Sequence, residues 1–116
     1  MAKVSIITPY RNAACFLPGL VETLCQQTFA DWECLLIDDN SIDGGPLLLK
    51  NLTDSDSRFR HLALPRCPVN DHPHIRLPAI PRNLGLNQVA SPLVAFLDVD
   101  DLWHPRKLEL QLEFHS

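Results

Sequence analysis

Three carboxylates in four positions, Asp98, Asp100 and Asp101, follow the apolar run Pro92 to Leu97. Closely spaced aspartates at the end of a strand offer hard oxygen ligands, the donor type that Mg²⁺ and Mn²⁺ take, and such an ion can hold a diphosphate. Aspartate also ends strands and caps helices, so the spacing by itself leaves a structural reading open. A second acidic pair, Asp38-Asp39, follows the apolar run Glu33 to Ile37 and precedes Asn40-Ser41. It reads either as a strand end with turn chemistry or as a place where Asp39 accepts hydrogen bonds from a base or sugar. Arg82, beside Asn83, carries a forked donor suited to a phosphate or carboxylate, against the alternative of a surface ion pair.

The elements that must position these residues follow from hydrophobic pattern and turn chemistry. Val4 to Thr8 is a β-branched run that predicts a buried strand stopped by Pro9, with Tyr10-Arg11-Asn12 as the loop beyond it. From Ala13 to Gln27, Leu17, Leu20, Val21, Leu24 and Thr28 keep helical spacing, with Asn12 as N-cap and Pro18 in the first turn. Glu33 to Ile37 predicts a second strand, Gly44-Gly45-Pro46 opens a Leu-rich stretch to Leu52, and Phe59 to Leu64 predicts a third strand. Pro65, Pro68, Pro73, Pro78 and Pro81 forbid both a long helix and a central strand, so 65–81 reads as a loop. Arg82 to Val89 predicts a short helix, Pro92 to Leu97 a fourth strand, and Pro105 the N1 position of a last helix. Strands alternating with helices imply an α/β fold with a mostly parallel sheet and helices on both faces, whose ligands bind beyond the carboxyl ends of the strands.

The 116 residues suffice for one domain, and 46% hydrophobic with 21% charged residues excludes a disordered or fibrous chain. A formal charge of −4 with no basic stretch argues against nucleic-acid binding. No apolar stretch approaches the roughly 20 residues of a membrane span, so the chain reads as cytoplasmic, with a peripheral position at the inner membrane surface left open. Cys15, Cys25, Cys34 and Cys67 lack zinc-site spacing and read as buried thiols, while His72 and His74 read as solvated loop histidines. Leu108 and Leu112 share one face of the last helix and Leu110 and Phe114 another, which suggests self-association through that helix.

Five segments together carry more than any one of them: Val4-Ser5-Ile6-Ile7-Thr8-Pro9-Tyr10-Arg11-Asn12, Leu24 to Glu33, Ile37-Asp38-Asp39-Asn40-Ser41-Ile42-Asp43-Gly44, Pro81-Arg82-Asn83-Leu84-Gly85 and Phe96-Leu97-Asp98-Val99-Asp100-Asp101. In order and separation they resemble the N-terminal half of family 2 glycosyltransferases, which have the Rossmann-like GT-A fold. The resemblance runs from Val4 to about Gln111. It implies a hexosyltransferase-type enzyme that moves a sugar from a nucleotide-diphosphate donor, linked to UDP, GDP or dTDP, to a hydroxyl acceptor with inversion.

It also implies a donor pocket. Pro9, Tyr10, Arg11 and Asn12 lie near the base, Asp39 bonds the base or ribose, and Arg82 lies near the base or diphosphate. The family's DxD motif falls on Asp98 and Asp100. Asp100 is then the direct ligand of Mn²⁺ or Mg²⁺, Asp98 lies nearer the ribose or sugar, and Asp101 contributes beside them. Members of the family continue well beyond this motif, so the chain reads as a single partial domain, 1–116, truncated before the acceptor site and the general base. A non-catalytic nucleotide-sugar-binding module is the alternative. Asp98-Val99-Asp100-Asp101 superficially resembles a phosphotransfer motif, but Leu102-Trp103 follow where such phosphatases carry Gly-Thr, and a receiver domain's acceptor aspartate would fall at Leu64-Pro65.

Overall fold

The computed structural model describes residues 2–64, 88–89 and 91–115. The expected Pro-rich loop 65–81, Arg82 with most of its short helix, Cys67, His72 and His74 lie outside the described residues. Among the described residues four parallel strands form one sheet: β1 (Val4–Tyr10), β2 (Trp32–Asp38), β3 (Phe59–Ala63) and β4 (Leu93–Phe96), in the order β3-β2-β1-β4. Helix α1 (Leu17–Cys25) joins β1 to β2, α2 (Gly45–Thr53) joins β2 to β3, and α3 (Lys107–His115) follows β4. The fold is thus α/β with a parallel sheet.

β1 runs two residues past the expected stop, through Pro9 to Tyr10, with Pro9 opposite Ile37 in the register with β2. The alternation of the strand explains why proline is harmless there. Lys3 and Ile7 turn their carbonyls toward β4, accepting from Leu93 N and Leu97 N, while Tyr10 turns its carbonyl toward β2, accepting from Asp39 N. Pro9 therefore lacks its N–H on the β4 side, where pairing has already ended at Ile7 with Phe96.

One face of the sheet carries Val4, Ile6, Cys34, Leu36 and Phe59 into a single core with Leu17, Leu20 and Leu24 of α1, Leu49 of α2 and Leu108 of α3. The opposite face is covered as well, since Ile7, Leu35 and Ile37 are fully buried. That is why Ile6-Ile7 in β1 and Cys34 to Ile37 in β2 are continuous apolar runs rather than alternating ones. Trp32 is buried at the start of β2, edge-on to Phe59 at 5.4 Å between ring centroids, with the Arg58 guanidinium 3.9 Å over its ring. A salt bridge of 2.7 Å from Arg58 to Asp56 fixes that guanidinium.

The long helix expected from Ala13 is divided. Ala14–Phe16 forms a 3₁₀ turn and α1 begins at Leu17, with Pro18 in its first turn. Asn12 is not its N-cap, because its backbone has φ of 48° and its side chain is used elsewhere. Thr28, expected on the buried face, is exposed, and Thr23 and Gln27 are buried instead. The last helix starts at Lys107 rather than Pro105, because Pro105 and Arg106 form a turn closed by Lys107 N donating to the His104 carbonyl. Of the cysteines, Cys34 is buried and its thiol is pushed up to about 12 by desolvation, whereas Cys15 and Cys25 are exposed. Those two sit on the outer sides of the 3₁₀ turn and of α1, which corrects the expectation of buried thiols throughout. Leu108 is buried and Leu112 packs against the core, while Leu110 is exposed. Among the described residues no helix is long and apolar enough to cross a membrane.

Leu36 is fully buried in the middle of β2 against this core. Leu36→Ala is expected to lower unfolding stability by about 2–5 kcal/mol, read from the shift in urea midpoint at unchanged m-value.

Candidate functional site

The chain moves from β1 to β2 to β3 in one direction and then returns to place β4 on the other side of β1. That reversal makes the carboxyl ends of β1 and β4 a topological switch point, where the connecting loops part and leave a crevice. Three segments emerge at this edge: Tyr10-Arg11-Asn12 at the end of β1, Asp39 to Asp43 after β2, and Leu97 to Asp101 after β4. Of the residues expected to form the site, Pro9, Tyr10, Arg11, Asn12, Asp39, Asp98, Asp100 and Asp101 are therefore brought to one edge of the sheet. Arg82 lies outside the described residues.

The first two loops are clasped together. Asn12 Oδ1 accepts from Ile42 N at 2.7 Å, and Asn12 N donates to Ser41 Oγ at 3.0 Å. Asn12 and Asn40 both have positive φ, at 48° and 57°, a conformation that asparagine tolerates better than most residues. Asp38 Oδ1 accepts from Ser41 N at 2.9 Å, an Asx turn that gives this carboxylate its structural role. Asp43 accepts from Ala14 N at 3.2 Å and from Gly45 N at 2.9 Å, tying the 3₁₀ turn to the start of α2. A Cβ on Gly45 would come within 2.9 Å of Asp43 Oδ1, so glycine is needed for this contact.

Asp39 follows Asp38 but is placed differently. Its backbone N donates to the Tyr10 carbonyl at 2.9 Å, and its Oδ1 accepts from Asn40 Nδ2 at 3.3 Å. Tyr10 is buried, and burial together with the charges of Asp38 and Asp43 raises its pKa, so the phenol stays protonated and neutral.

The third segment is a tight turn in which Asp101 N donates to the Asp98 carbonyl at 3.0 Å. Leu97 and Val99 anchor it in the core, while Asp98, Asp100 and Asp101 are exposed. Its exit is held by Thr23 of α1 and by Gln27 just beyond that helix. Thr23 Oγ1 pairs with both N and O of Trp103, at 2.9 Å each. Gln27 Nε2 donates to the His104 carbonyl at 2.9 Å, and Gln27 Oε1 accepts from Leu108 N at 3.2 Å. Leu108 N belongs to the first turn of α3, where a helix leaves donors without intrahelical partners, so Gln27, just past the end of α1, caps α3.

Among the described residues these segments carry Asp38, Asp39, Asp43, Asp98, Asp100 and Asp101 and one basic residue, Arg11. Such a field favours a cation. Among the described residues no three His, Cys, Asp or Glu side chains already converge as a metal-binding group. Magnesium-type sites that take one or two carboxylates and complete their shell with substrate phosphates and water need no such group, so the exposed pair Asp98 and Asp100 fits an ion of that kind.

The family model described as glycosyl transferase family 2 matches residues 5–116. The chain belongs to this family. An uncharacterized glycosyltransferase of Haemophilus influenzae is 36% identical over 114 residues, covering 98% of this chain and 42% of the relative. The Escherichia coli UDP-Glc:alpha-D-GlcNAc-diphosphoundecaprenol beta-1,3-glucosyltransferase WfgD is 36% identical over 109 residues, covering 94% of this chain and 39% of the relative. The S. aureus TarS 1-349 structure in complex with UDP-GlcNAc superposes with a TM-score of 0.77 at 25% identity, covering 97% of this chain and 30% of that one. The chain thus spans about two-fifths of the length of these curated relatives.

Within this family 2 chain, two sets of positioning residues are not singled out by sequence reasoning. Ser41 and Asp43 are legible only as turn formers, and nothing local shows that they reach across to Asn12 and Ala14. Thr23 on α1 and Gln27 just past its end carry a faint signal, as polar residues at core-facing spacing, but their partners lie some 80 positions downstream. Asn12→Ala is expected to cost about 1–3 kcal/mol, by removing the acceptor for Ile42 N and placing alanine at positive φ. Asn12→Gly should cost less, because glycine takes that φ freely. Urea titration of the two variants separates the contributions.

Proposed function

We propose that the chain is the donor-binding half of a glycosyltransferase, a single partial GT-A domain that holds a nucleotide-diphosphate sugar for inverting transfer to a hydroxyl acceptor. The observation that carries this reading is the convergence of the β1, β2 and β4 carboxyl ends on one edge, with Asp39 on one side of β1 and Asp98-Val99-Asp100-Asp101 on the other. The names of similar proteins support the substrate class. WfgD is a UDP-Glc-dependent glucosyltransferase, and TarS has been crystallised with UDP-GlcNAc.

In this reading the two sides of the crevice divide the donor. Pro9 and the Tyr10 to Asn12 segment flank the base, and the Tyr10 ring, buried in the core, anchors that segment. Asp39, its backbone fixed by the Tyr10 carbonyl, offers a carboxylate oxygen to the ribose hydroxyls or to a base N–H. Asn12 acts by holding the two loops together, since its side chain is already committed to Ile42 N. Asp100, with Asp98 and Asp101, holds the divalent cation, Mn²⁺ or Mg²⁺. The ion supplies charge neutralisation for a diphosphate leaving group. Arg82 is proposed as a further donor contact near the base or diphosphate. No general base is assigned among these residues.

Calorimetric titration with UDP, GDP and dTDP, in Mn²⁺ and in EDTA, tests the assignment. Asp100→Ala is expected to abolish the metal-dependent part of binding, and Asp39→Ala to weaken binding about tenfold with or without metal, the loss of one or two hydrogen bonds. Equal losses from both variants in both conditions would contradict the separate roles.

A further inference from the structure

Among the described residues Arg11 is the one basic residue in the loops at this edge. Its neighbours are engaged in holding the loops together. Tyr10 O accepts from Asp39 N, and Asn12 uses both its backbone N and its side chain to clasp Ser41 and Ile42. Arg11 itself is half-buried, and its Nε is shielded from solvent without a hydrogen-bond partner. The ion pairs among the described residues join Arg58 to Asp56, Arg60 to Glu33 and Arg106 to Glu109, and none draws on Arg11. This is unusual for a guanidinium in a loop cluster so rich in aspartate, where a surface ion pair would be the easy outcome.

A shielded N–H without an acceptor is costly, and it persists where another group satisfies it. The group required is an acceptor, and a planar fork with a full positive charge best suits one that is anionic and offers two oxygens. Electrostatics points the same way. A dianionic or trianionic ligand entering among these aspartates would be repelled unless positive charge meets it, and Arg11 directly follows β1, the strand between the two that end in the acidic loops.

We infer that Arg11 is a specificity-determining residue that binds the diphosphate of the donor directly, giving this chain an anion contact that does not depend on the divalent ion. The inference rests on the nucleotide-sugar reading for the identity of the ligand, but its chemistry, a guanidinium fork on a pyrophosphate group, can be tested apart from it. It differs from the contact near the base that family resemblance implies for the Tyr10 to Asn12 loop.

The test titrates the chain, Arg11→Met and Arg11→Lys with inorganic pyrophosphate and with UDP, GDP and dTDP, in EDTA and in Mn²⁺, with thermal melts as a fold control. Arg11→Met is expected to weaken pyrophosphate and the nucleoside diphosphate alike by about tenfold or more, in EDTA as well as in Mn²⁺. Arg11→Lys should recover part of that loss, because it keeps the charge but not the fork. Loss of nucleotide binding with pyrophosphate unaffected would place Arg11 on the base and overturn the assignment. Unchanged binding of both would overturn it too, and so would a wild-type chain that binds no pyrophosphate. Arg11-dependent pyrophosphate binding without any nucleoside diphosphate binding would uphold the contact and remove the nucleotide-sugar reading. Should Arg11→Met fail to fold, Arg11→Lys alone decides: affinity equal to wild type for every ligand contradicts a forked contact.

Discussion

The parallel pairing of β1 with β2 on one side and β4 on the other is the constraint from which the rest follows. β1 is buried on both faces, and its backbone is shared between two partners whose pairings end at different points, β4 at Ile7 and β2 at Tyr10. That stagger lets Pro9 sit inside the strand without breaking a ladder bond. It also opens the space between the ends of β1 and β4 into which the Asp98–Asp101 turn is set. A change of register by one residue on either side would turn Ile6 and Ile7, or Leu35 and Leu36, to the wrong faces of a sheet whose two faces are both buried.

Around that strand, polar contacts do the work that apolar burial cannot. The core fixes where each loop begins, but the loops are oriented by a few hydrogen bonds between distant parts of the chain: Asn12 with Ser41 and Ile42, Asp43 with Ala14 and Gly45, Thr23 and Gln27 with Trp103, His104 and Leu108. Gln27 and Thr23 are buried, so leaving their partners unmade would carry a desolvation penalty, and this holds the exit of the acidic turn against α1. The resulting edge is cross-linked by hydrogen bonds and rich in carboxylate, which suits a site whose ligand brings its own phosphates and metal.

Much of the fold was legible because β-branched and leucine runs of strand length, separated by Asn, Asp, Gly and Pro, leave few arrangements other than alternating strands and helices. All four strands and the three helices among the described residues lie close to where periodicity places them. The errors share a cause. Pro9 reads as a breaker only if its missing donor was needed, and Asn12 reads as an N-cap only if its side chain bonds locally; both depend on neighbours remote in sequence. For the site, the types and order of Asp39, Asp98 and Asp100 were readable, and their placement at one edge follows from strand order. The division of labour between Asp38, spent on a turn, and Asp39 was not readable, because adjacent identical side chains differ only in which partners the tertiary structure brings to them.

The most direct test of the account is to follow the backbone amides of the ¹⁵N-labelled chain during titration with UDP, GDP and dTDP in Mg²⁺. Shifts concentrated at Tyr10–Asn12, Asp39–Ser41 and Asp98–Asp101, spanning the ends of β1, β2 and β4, are the predicted result. Shifts centred instead on the cleft between α2 and β3 around Lys50, Thr53 and His61, or no shifts with any of the three nucleotides, would contradict a single donor site built from those three strand ends.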